Sequence, residues 1–177
     1  MTSTEQTPEE IREALKLPDP EFPSQDAIWA YGALSFLYMH SPRHANWPVK
    51  ALRLLIQPPI DLKQTRIFAW DGVPRAACLW AHLDDEAEQQ VLAGQPLRPA
   101  QWRSGPKLWL MEIVAPYEQG TGAAVFRTFI EHIPEGVDTF RYARVDARGK
   151  VRRVVESTRL HDNSWGAKIM SNLTERD

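Results

Sequence analysis

The sequence is poor in several features that mark specialised classes of protein. It contains a single cysteine, Cys78, which excludes an intramolecular disulfide and a zinc site built from cysteines. No apolar run approaches the roughly 18 residues that a membrane-spanning helix needs, and the N-terminus lacks the basic and then apolar order of a secretory signal. The net charge of −2 argues against a general nucleic-acid-binding protein. We therefore expect a cytoplasmic protein with no membrane span and no nucleic-acid partner, in which Cys78 is a small buried apolar side chain.

What is present is the composition of a globular domain preceded by an unusual N-terminal segment. The 177 residues are 43% hydrophobic and 25% charged, which suits a single domain. Residues 1–25 combine acidic side chains with several prolines, a composition that favours a mobile or loosely docked acidic arm containing one short helix at 8–16. We expect residues 26–177 to form the single folded domain.

Apolar periodicity predicts two helices before the first strand. Ser24 can cap the first helix, whose apolar residues recur at helical spacing as far as the stop at Ser41-Pro42. The second helix should begin at Pro48 and end before the proline pair at 58–59. The two helices are therefore separated by a short loop that has prolines at both ends.

Beyond these helices the pattern changes to that of strands. A hairpin centred on Asp71-Gly72 is followed by a short polar helix, an apolar strand, a helix that opens on glycines, and a second hairpin that turns at 146–149. The order α α β β α β α β β contains a strand–helix–strand crossover. It predicts an α/β (α+β) domain with a mixed central sheet of about five strands flanked by helices.

The segment "HSPRHANWPV" at residues 40–49 places a histidine inside the break between the two helices. Imidazole changes charge near neutral pH, so a partly buried histidine is suited to carry protons or to act as a nucleophile. A loop anchored at both ends can present His44 rigidly at the mouth of a cleft, with Trp47 and Pro48 holding the loop against the core. The alternative is that His44 only caps the second helix. Ser41 can hydrogen-bond within the loop or simply end the first helix.

A glutamate interrupts the apolar strand "KLWLMEIVAP". Regular alternation along this strand would put Leu110, Glu112 and Val114 on one side, so that both neighbours of the carboxylate on that side are apolar. This pattern favours a buried or cleft-lining acid with a partner, and Glu112 is a second candidate catalytic residue. The alternative is an exposed glutamate on an edge strand.

Two glycines precede the helix in "YEQGTGAAVF". Backbone amides at Gly120, Thr121 and Gly122 can point at a phosphate, assisted by the N-terminus of the helix. A plain turn is the alternative. No cluster of residues has the spacing of a metal site, so we expect no metal.

The final hairpin is rich in basic residues. A solvated hairpin whose charges protect a sheet edge would account for them, and so would a docking surface for an acidic partner. The candidate partner-binding residues are Arg141, Arg148, Lys150, Arg152 and Arg153.

These motifs together resemble the toxin-activating lysine acyltransferases, which fatty-acylate internal lysines of RTX toxins. The similarity lies in "SPRHANWPV", in "VPRAACLWAHL" and in "QWRSGPKLWLMEIVAPY", with a weaker match at "FRYARVD". It extends from about residue 27 to about residue 160, with the motifs in the same order as in that family.

The resemblance implies a GCN5-type acetyltransferase-like fold, a homodimer, and an acyl-acyl-carrier protein as co-substrate rather than a permanently bound cofactor. The essential histidine of the family falls on His44 and its nearby serine on Ser41. Its catalytic aspartate falls on Glu112, a departure that keeps the charge but extends the reach by one methylene. The substrate would be an RTX-type protoxin, and the glycine turn would hold the phosphate of the phosphopantetheine arm.

Two other functions fit parts of the sequence. An N-acetyltransferase of the GCN5 type, using acetyl-coenzyme A and a small amine, would share the glycine turn but gives no reason for the "SPRHANWP" segment. A catalytically weakened module that binds a carrier protein or a toxin would explain why glutamate replaces aspartate at position 112. Donor preference separates the first alternative from the acyltransferase, and binding without turnover would identify the second.

Overall fold

A computed structural model describes residues 23–145 and 151–172 of the chain, with the backbone alone for residues 171 and 172. Most of the predicted N-terminal arm, including its short helix at 8–16, lies outside the described residues. The turn of the last hairpin, predicted at 146–149, also lies outside them.

Three helices lead into the sheet. They are α1 (Gln25–His40), α2 (Val49–Leu55) and α3 (Gln57–Asp61). Ser24 caps α1 as predicted, because its side-chain oxygen accepts a hydrogen bond from the amide of Ala27 at 3.2 Å. α2 ends before the proline pair, also as predicted. The prolines then lie in the first turn of α3, where a missing amide costs nothing.

Six strands form one mixed sheet, and their spatial order is their order along the chain. They are β1 (Thr65–Trp70), β2 (Val73–Leu83), β3 (Lys107–Val114), β4 (Thr139–Val145), β5 (Val151–Arg159) and β6 (Trp165–Asn172). The connections from β2 to β3 and from β3 to β4 contain α4 (Asp85–Leu92), a 3₁₀ helix (Pro99–Trp102) and α5 (Thr121–Glu131). β3 and β4 are parallel and the other neighbours are antiparallel, which confirms the mixed α/β class.

The sheet has six strands, one more than the approximately five predicted, and the additional strand is β6. β6 is an edge strand, and both of its successive residues Ile169 and Met170 are exposed. Alternation between buried and exposed side chains is the signal that marks a strand in a sequence, and β6 does not carry it.

The two faces of the sheet pack on different helices. One face is covered by α1, α2 and α3, and further along by α4 and the 3₁₀ helix. The other face packs on α5 through a cluster of aromatic and aliphatic side chains that includes Phe129 and Phe140. Cys78 is buried in this second cluster, as predicted. None of the helices among the described residues is long and apolar enough to cross a membrane.

The parallel pairing of β3 with β4 is short. Leu108–Leu110 pair with Phe140–Tyr142, whereas β3 runs on to Val114 and β4 to Val145. The two strands therefore separate over their second halves, in the middle of the sheet. Phe126 and Tyr142, which contact each other edge to face, line the gap between the two strands on the side of α5.

Candidate active site

The loop between α1 and α2 is held in a fixed conformation by its own backbone. The carbonyl of Ser41 accepts hydrogen bonds from the amides of His44 and Ala45, both at 2.9 Å, and the carbonyl of His44 accepts one from Trp47 at 2.8 Å. Ser41 also ends α1, since its amide donates to the carbonyl of Tyr38 at 3.1 Å. The loop therefore presents His44 from a rigid base, as the proline-bounded break predicts.

The His44 ring is buried, with polar side chains at both of its nitrogens. Its side chain is only 1% exposed. Nδ1 lies 2.7 Å from Oγ of Ser41, and Nε2 lies 3.4 Å from Oε2 of Glu112. α2 begins at Val49, with Pro48 as its N-cap residue and no side-chain cap, so the alternative that His44 merely caps this helix is wrong.

Nε2 of His44 has a partner in both protonation states. Nε of Arg43, which can only donate, lies 3.2 Å from it and requires an unprotonated nitrogen. The carboxylate of Glu112, which can only accept, requires a protonated one. With Nδ1–H donating to Ser41, the ring can therefore take up and release a proton at Nε2 without losing its orientation.

Glu112 faces His44 because β3 contains a bulge. Leu79 lies opposite Glu112 and the next residue of β2 lies opposite Leu110, so Met111 is an extra residue in the strand. Met111 and Glu112 consequently project toward the same face, the one that α1 covers. The prediction that Leu110 shares this side is wrong, because Leu110 packs in the α5 cluster. The prediction is right for Val114, which packs against α1.

The central position of β3 also excludes the alternative of an exposed edge-strand glutamate at 112. β3 is hydrogen-bonded to β2 on one side and to β4 on the other. The Glu112 side chain is 19% exposed and forms an ion pair with Arg43 through Oε1, while Oε2 is directed at His44. The Glu112 carboxylate therefore contacts both Arg43, which is always charged, and the imidazole ring of His44.

Arg43 is the site residue that sequence reasoning missed. It touches both His44 and Glu112, and it lies directly before His44 in the quoted motif. The sequence did contain a signal for it: Arg43 is a cation directly beside a candidate catalytic histidine, and the chain also holds a candidate buried carboxylate. The pairing across 69 residues could not be read from the sequence.

The aromatic neighbours of His44 shield the ring and are not themselves bases. Tyr38 and Trp47 make edge contacts with it, at centroid distances of 4.6 and 4.5 Å. Burial, and then the nearby Glu112 carboxylate, raise the pKa of Tyr38 well above its usual value, so this phenol stays neutral. Burial also raises the pKa of Cys78 to about 11, so its thiol is protonated and unreactive at neutral pH.

A cavity of about 410 Å³ opens where β3 and β4 separate. Arg43 and Glu112 line it on one side of the sheet, and Gly122 and Phe126 of α5 line it on the other. It therefore passes through the sheet from the predicted glycine turn to the residues that contact His44.

The glycine turn itself has the predicted local structure. Gly120 adopts a left-handed conformation with φ of 88°, which a residue with a side chain rarely adopts, and α5 begins at Thr121. The amide of Thr121 donates to the carbonyl of Glu118 at 3.3 Å, so one of the three predicted phosphate-binding amides already has an intramolecular partner. Gly122 is the member of the turn that borders the cavity.

The predicted partner-binding residues lie in three different situations. Arg141 is committed to ion pairs with Glu88 and Glu156. Arg152 and Arg153 lie on β5 with exposed side chains. Arg148 and Lys150 lie outside the described residues. Within the described ranges, three or more metal-ligating side chains do not come together anywhere.

Curated relatives of this chain are acyltransferases by name. This chain is 34% identical to the protein-lysine palmitoyltransferase CyaC of Bordetella bronchiseptica over 145 residues, which cover 79% of this chain and 77% of the relative. It is 30% identical to the RTX-I toxin-activating lysine-acyltransferase ApxIC of Actinobacillus pleuropneumoniae, over 82% of this chain and 81% of that one. It is 32% identical to the protein-lysine myristoyltransferase HlyC of Escherichia coli, over 71% of this chain and 72% of that one.

A solved structure is also similar. The loading GNATL domain of CurA from Lyngbya majuscula superposes with a TM-score of 0.48 at 15% identity, over 67% of this chain. The match spans 61% of that domain's chain.

The family itself is identified by a model that covers most of the chain. Residues 23–159 match the HlyC family of RTX toxin acyltransferases. This range contains His44, Ser41 and Glu112, together with the three segments on which the resemblance rests. The chain belongs to the RTX toxin acyltransferase family.

Proposed function

We propose that this acyltransferase moves a fatty acyl chain from an acyl-acyl-carrier protein to the ε-amine of internal lysines of an RTX-type protoxin. The observation that carries the proposal is the contact of His44 with Glu112 beside the cavity between β3 and β4. The names of the relatives, which include a palmitoyl- and a myristoyltransferase acting on protein lysine, support the substrate class.

The chemistry begins with the lysine. A free lysine side chain is almost wholly protonated at neutral pH, because its ordinary pKa is about 10.4, so attack on a thioester needs a base. The lysine ammonium first loses one proton to solvent, so that the lysine attacks as the neutral amine. Nε2 of His44 then takes a second proton from the lysine nitrogen as that nitrogen attacks the thioester carbonyl carbon. The new C–N bond forms, the C–S bond breaks, and the proton returns from His44 to the departing thiolate.

The neighbours of His44 support each stage of this transfer. Ser41 accepts from Nδ1 and fixes the ring, and Glu112 stabilises the imidazolium that forms in the transition state, as a carboxylate does for other catalytic imidazoles. In a variant of the same chemistry, His44 attacks the thioester first, releases the donor thiol and carries the acyl group as an acyl-imidazole, which the lysine amine then attacks to form the amide and free the imidazole. A trapped acyl-enzyme would distinguish the two orders of bond formation.

The donor's arm has a route to this centre. The cavity connects the glycine turn with Glu112, so a phosphopantetheine arm entering from α5 would bring its phosphate to Gly120, Thr121 and Gly122 and its thioester to His44. The exposed side chains of Arg152 and Arg153 would meet the acidic surface of the carrier protein.

We also propose that the protein is a homodimer and that it acts in the cytoplasm. The outer edge of β6 is open within the described residues, and Ile169 and Met170 are exposed there, a surface that a second copy would cover. A cytoplasmic location follows from the proposed carrier-protein donor.

The test is donor discharge followed by intact-protein mass spectrometry. Palmitoyl-acyl-carrier protein and acetyl-coenzyme A are offered separately, with a lysine-bearing RTX toxin segment as acceptor. We expect a long-chain mass gain that His44→Ala lowers by about 100- to 10,000-fold, the range of general acid–base catalysis. His161→Ala, at an exposed histidine far along the chain, is the matched control.

Three outcomes would overturn the proposal. Discharge of acetyl-coenzyme A alone would favour the small-amine acetyltransferase. Tight carrier binding without transfer to several toxin segments would favour the binding module. Full activity in His44→Ala would show that another residue is the base.

A further inference from the structure

Arg43 touches both His44 and Glu112, yet the proposed transfer gives it no part in the chemistry. Its guanidinium is the only cationic group among the described residues that lines the cavity between β3 and β4. The side chain is 25% exposed, so it is not sealed beneath the loop that carries it. A positive charge therefore lies at the wall of the space that the donor's arm would enter.

The hydrogen bonds of the guanidinium leave donors for a further partner. Nε donates to Nε2 of His44 at 3.2 Å, and Nη2 donates to Oε1 of Glu112. Nη1 has no hydrogen-bond partner among the described residues. A guanidinium carries five N–H groups, so donors remain for a substrate atom beside His44.

Catalysis by His44 requires Arg43 to release one of these bonds. A neutral imidazole has one lone pair at its unprotonated nitrogen, and Nε of Arg43 already donates to it. The lysine N–H must take that place when Nε2 acts as the base. Nε–H of Arg43 then loses its acceptor, and a donor that is shielded from water is stabilised by finding another.

The carbonyl oxygen of the thioester is the acceptor that the reaction itself brings to this place. The lysine nitrogen must lie about 3 Å from Nε2 to be deprotonated. The carbonyl oxygen is bonded to the carbon that this nitrogen attacks. Because Nε of Arg43 lies 3.2 Å from the same Nε2, the guanidinium is within reach of that oxygen.

We propose that Arg43 is a catalytic residue, which donates hydrogen bonds to the thioester carbonyl oxygen as that oxygen becomes negatively charged. This inference rests on the proposed function and deepens it. As the C–N bond forms, the electron pair of the carbonyl π bond moves onto the oxygen, and Nε2 of His44 takes a proton from the attacking amine. When that pair returns to the carbonyl, the C–S bond breaks, and the thiolate leaves with its electrons and receives the proton from His44.

The charges of the site favour this role. Before the reaction they are those of Arg43 and Glu112, since His44 must be neutral to act as a base. In the transition state an imidazolium and an oxyanion are added. Glu112 then pairs with His44 and Arg43 pairs with the oxyanion, so that each new charge meets an opposite one. Without Arg43, the oxyanion would form beside the negative charge of Glu112 with no cation of its own.

The first test is the kinetics of donor discharge in Arg43→Ala, with palmitoyl-acyl-carrier protein and the RTX toxin segment. We expect kcat to fall by about 100- to 1,000-fold, the effect of removing one donor from an oxyanion site. KM for the donor should change by less than about threefold, because the bond is made in the transition state and not in the bound substrate. Arg53→Ala, at an exposed arginine of α2, is the matched control and should keep kcat within about threefold of wild type.

Two kinetic results would overturn the role of Arg43. One is a kcat of folded Arg43→Ala within about threefold of wild type. The other is a rise in KM with kcat unchanged, which would make Arg43 a residue that binds only the ground state. If Arg43→Ala does not fold, Arg43→Met keeps an apolar stem without the guanidinium and is held to the same two criteria.

A binding measurement separates this inference from the proposed activity. Calorimetry compares two palmitoyl-pantetheine phosphate analogues, both with a methylene in place of the thioester sulfur, so that no turnover occurs. One is the ketone, and the other is a phosphinate, in which a tetrahedral anionic phosphorus replaces the carbonyl carbon. Wild type should bind the phosphinate at least about 100-fold more tightly than the ketone. Arg43→Ala should lose most of that preference without losing affinity for the ketone.

The outcomes distinguish the two proposals. A phosphinate preference that depends on Arg43 would support the oxyanion site even if wild type transferred nothing to lysine, and only the proposed function would then fail. Equal affinity of wild type for the two analogues, or a preference that survives in Arg43→Ala, would overturn the role of Arg43 even if transfer occurred. An equal loss of affinity for both analogues in Arg43→Ala would also overturn it, because a residue that only positions Glu112 would show that result.

Discussion

Two clusters of charged residues flank β3, and they show what distinguishes a structural carboxylate from a chemical one. The His44 cluster consists of Ser41, Arg43, His44 and Glu112. The Glu88 cluster consists of Glu88 on α4, Lys107 and Trp109 on β3, Arg141 on β4 and Glu156 on β5. Both centre on a glutamate whose side chain is mostly shielded from solvent, 19% exposed at Glu112 and 7% at Glu88.

The partners of the two glutamates differ. Glu88 is bound by Lys107, by Arg141 and by the indole of Trp109 at 3.0 Å, all groups that stay protonated at neutral pH. Glu112 contacts one permanent cation, Arg43, and one histidine, and it borders the cavity between β3 and β4. A carboxylate whose donors are all fixed stabilises the fold, whereas one that faces a histidine and a cavity can respond to a change of charge.

The largest expected effect is on the stability that the Glu88 cluster provides. Glu88→Ala leaves two cations and an indole without their shared acceptor, and breaking a buried ion pair of this kind costs about 3–5 kcal/mol. We expect urea denaturation to show that loss, with activity per folded molecule within about threefold of wild type, because no member of this cluster borders the cavity between β3 and β4.

Glu86→Ala is the control for that measurement. Glu86 lies on the same helix and pairs with Arg98, but both side chains are highly exposed. Its removal should change the free energy of unfolding by less than about 1 kcal/mol. Equal destabilisation by the two variants would contradict the structural role assigned to Glu88.

The opposite result is expected at Glu112. Glu112→Gln keeps the shape but removes the charge that stabilises protonated His44, so kcat should fall by about 100-fold, equivalent to about 2.7 kcal/mol. Its effect on the free energy of unfolding should stay near 1 kcal/mol, since the ion pair with Arg43 is partly solvated. Steady-state kinetics and urea denaturation on the same preparation test both parts.

Glu112→Asp separates the effect of the carboxylate charge on the rate from the effect of the side-chain length. Aspartate is the residue that the family resemblance places here, but on this backbone it would fall short of His44 by one methylene. We expect a loss of about tenfold, smaller than that of Glu112→Gln, because misplacement by about 1 Å weakens an interaction that charge alone preserves. An Asp variant as slow as the Gln variant would show that reach, not charge, decides the rate.

A smaller effect is expected at Ser41, which positions His44 and does not touch the substrate. Ser41→Ala removes the acceptor of Nδ1–H, so kcat should fall about tenfold with KM nearly unchanged. Ser41→Thr keeps a hydroxyl and should recover most of the rate, which a purely structural role at the end of α1 would not predict.

The smallest effect is the response of the Glu88 cluster to acid. Burial opposes ionisation of Glu88, but hydrogen bonds from Lys107, Arg141 and Trp109 outweigh it and lower the pKa of this carboxyl. The stability it contributes is therefore fully present above the unfolded value, about 4.3, and is lost as the pH falls through the lower folded value. Glu88→Gln should flatten that part of a plot of unfolding free energy against pH, and an unchanged slope would contradict the assignment.

Local signals predicted the frame of the His44 cluster well. The cap at Ser24, the stop at Ser41 and the proline-bounded loop identified His44, and the structure confirms the loop. The Asp71-Gly72 hairpin also forms, with both residues at positive φ, and so does the turn at Gly120. Each of these features depends on residues within a few positions of one another, which is the range over which sequence patterns are informative.

The parts that were missed depend on distant residues. The bulge at Met111 is set by the pairing of β3 with β2, so alternation alone put Leu110 on the wrong face. Arg141 was predicted to bind a partner protein, but it forms an ion pair with Glu88, which lies 53 residues away in the sequence. Long-range pairing of this kind leaves no periodic trace in the sequence.

The short parallel junction between β3 and β4 also has a consequence for local unfolding. β1–β3 and β4–β6 are each joined by antiparallel ladders along most of their length, whereas the backbone pairing between the two halves, among the described residues, is limited to Leu108–Leu110 with Phe140–Tyr142. Opening of the sheet in native-state hydrogen exchange should therefore begin at this seam, and the two halves should lose protection as separate units. The Glu88 cluster links β3, β4 and β5 where the two halves are still paired, so its ion pairs should oppose that opening.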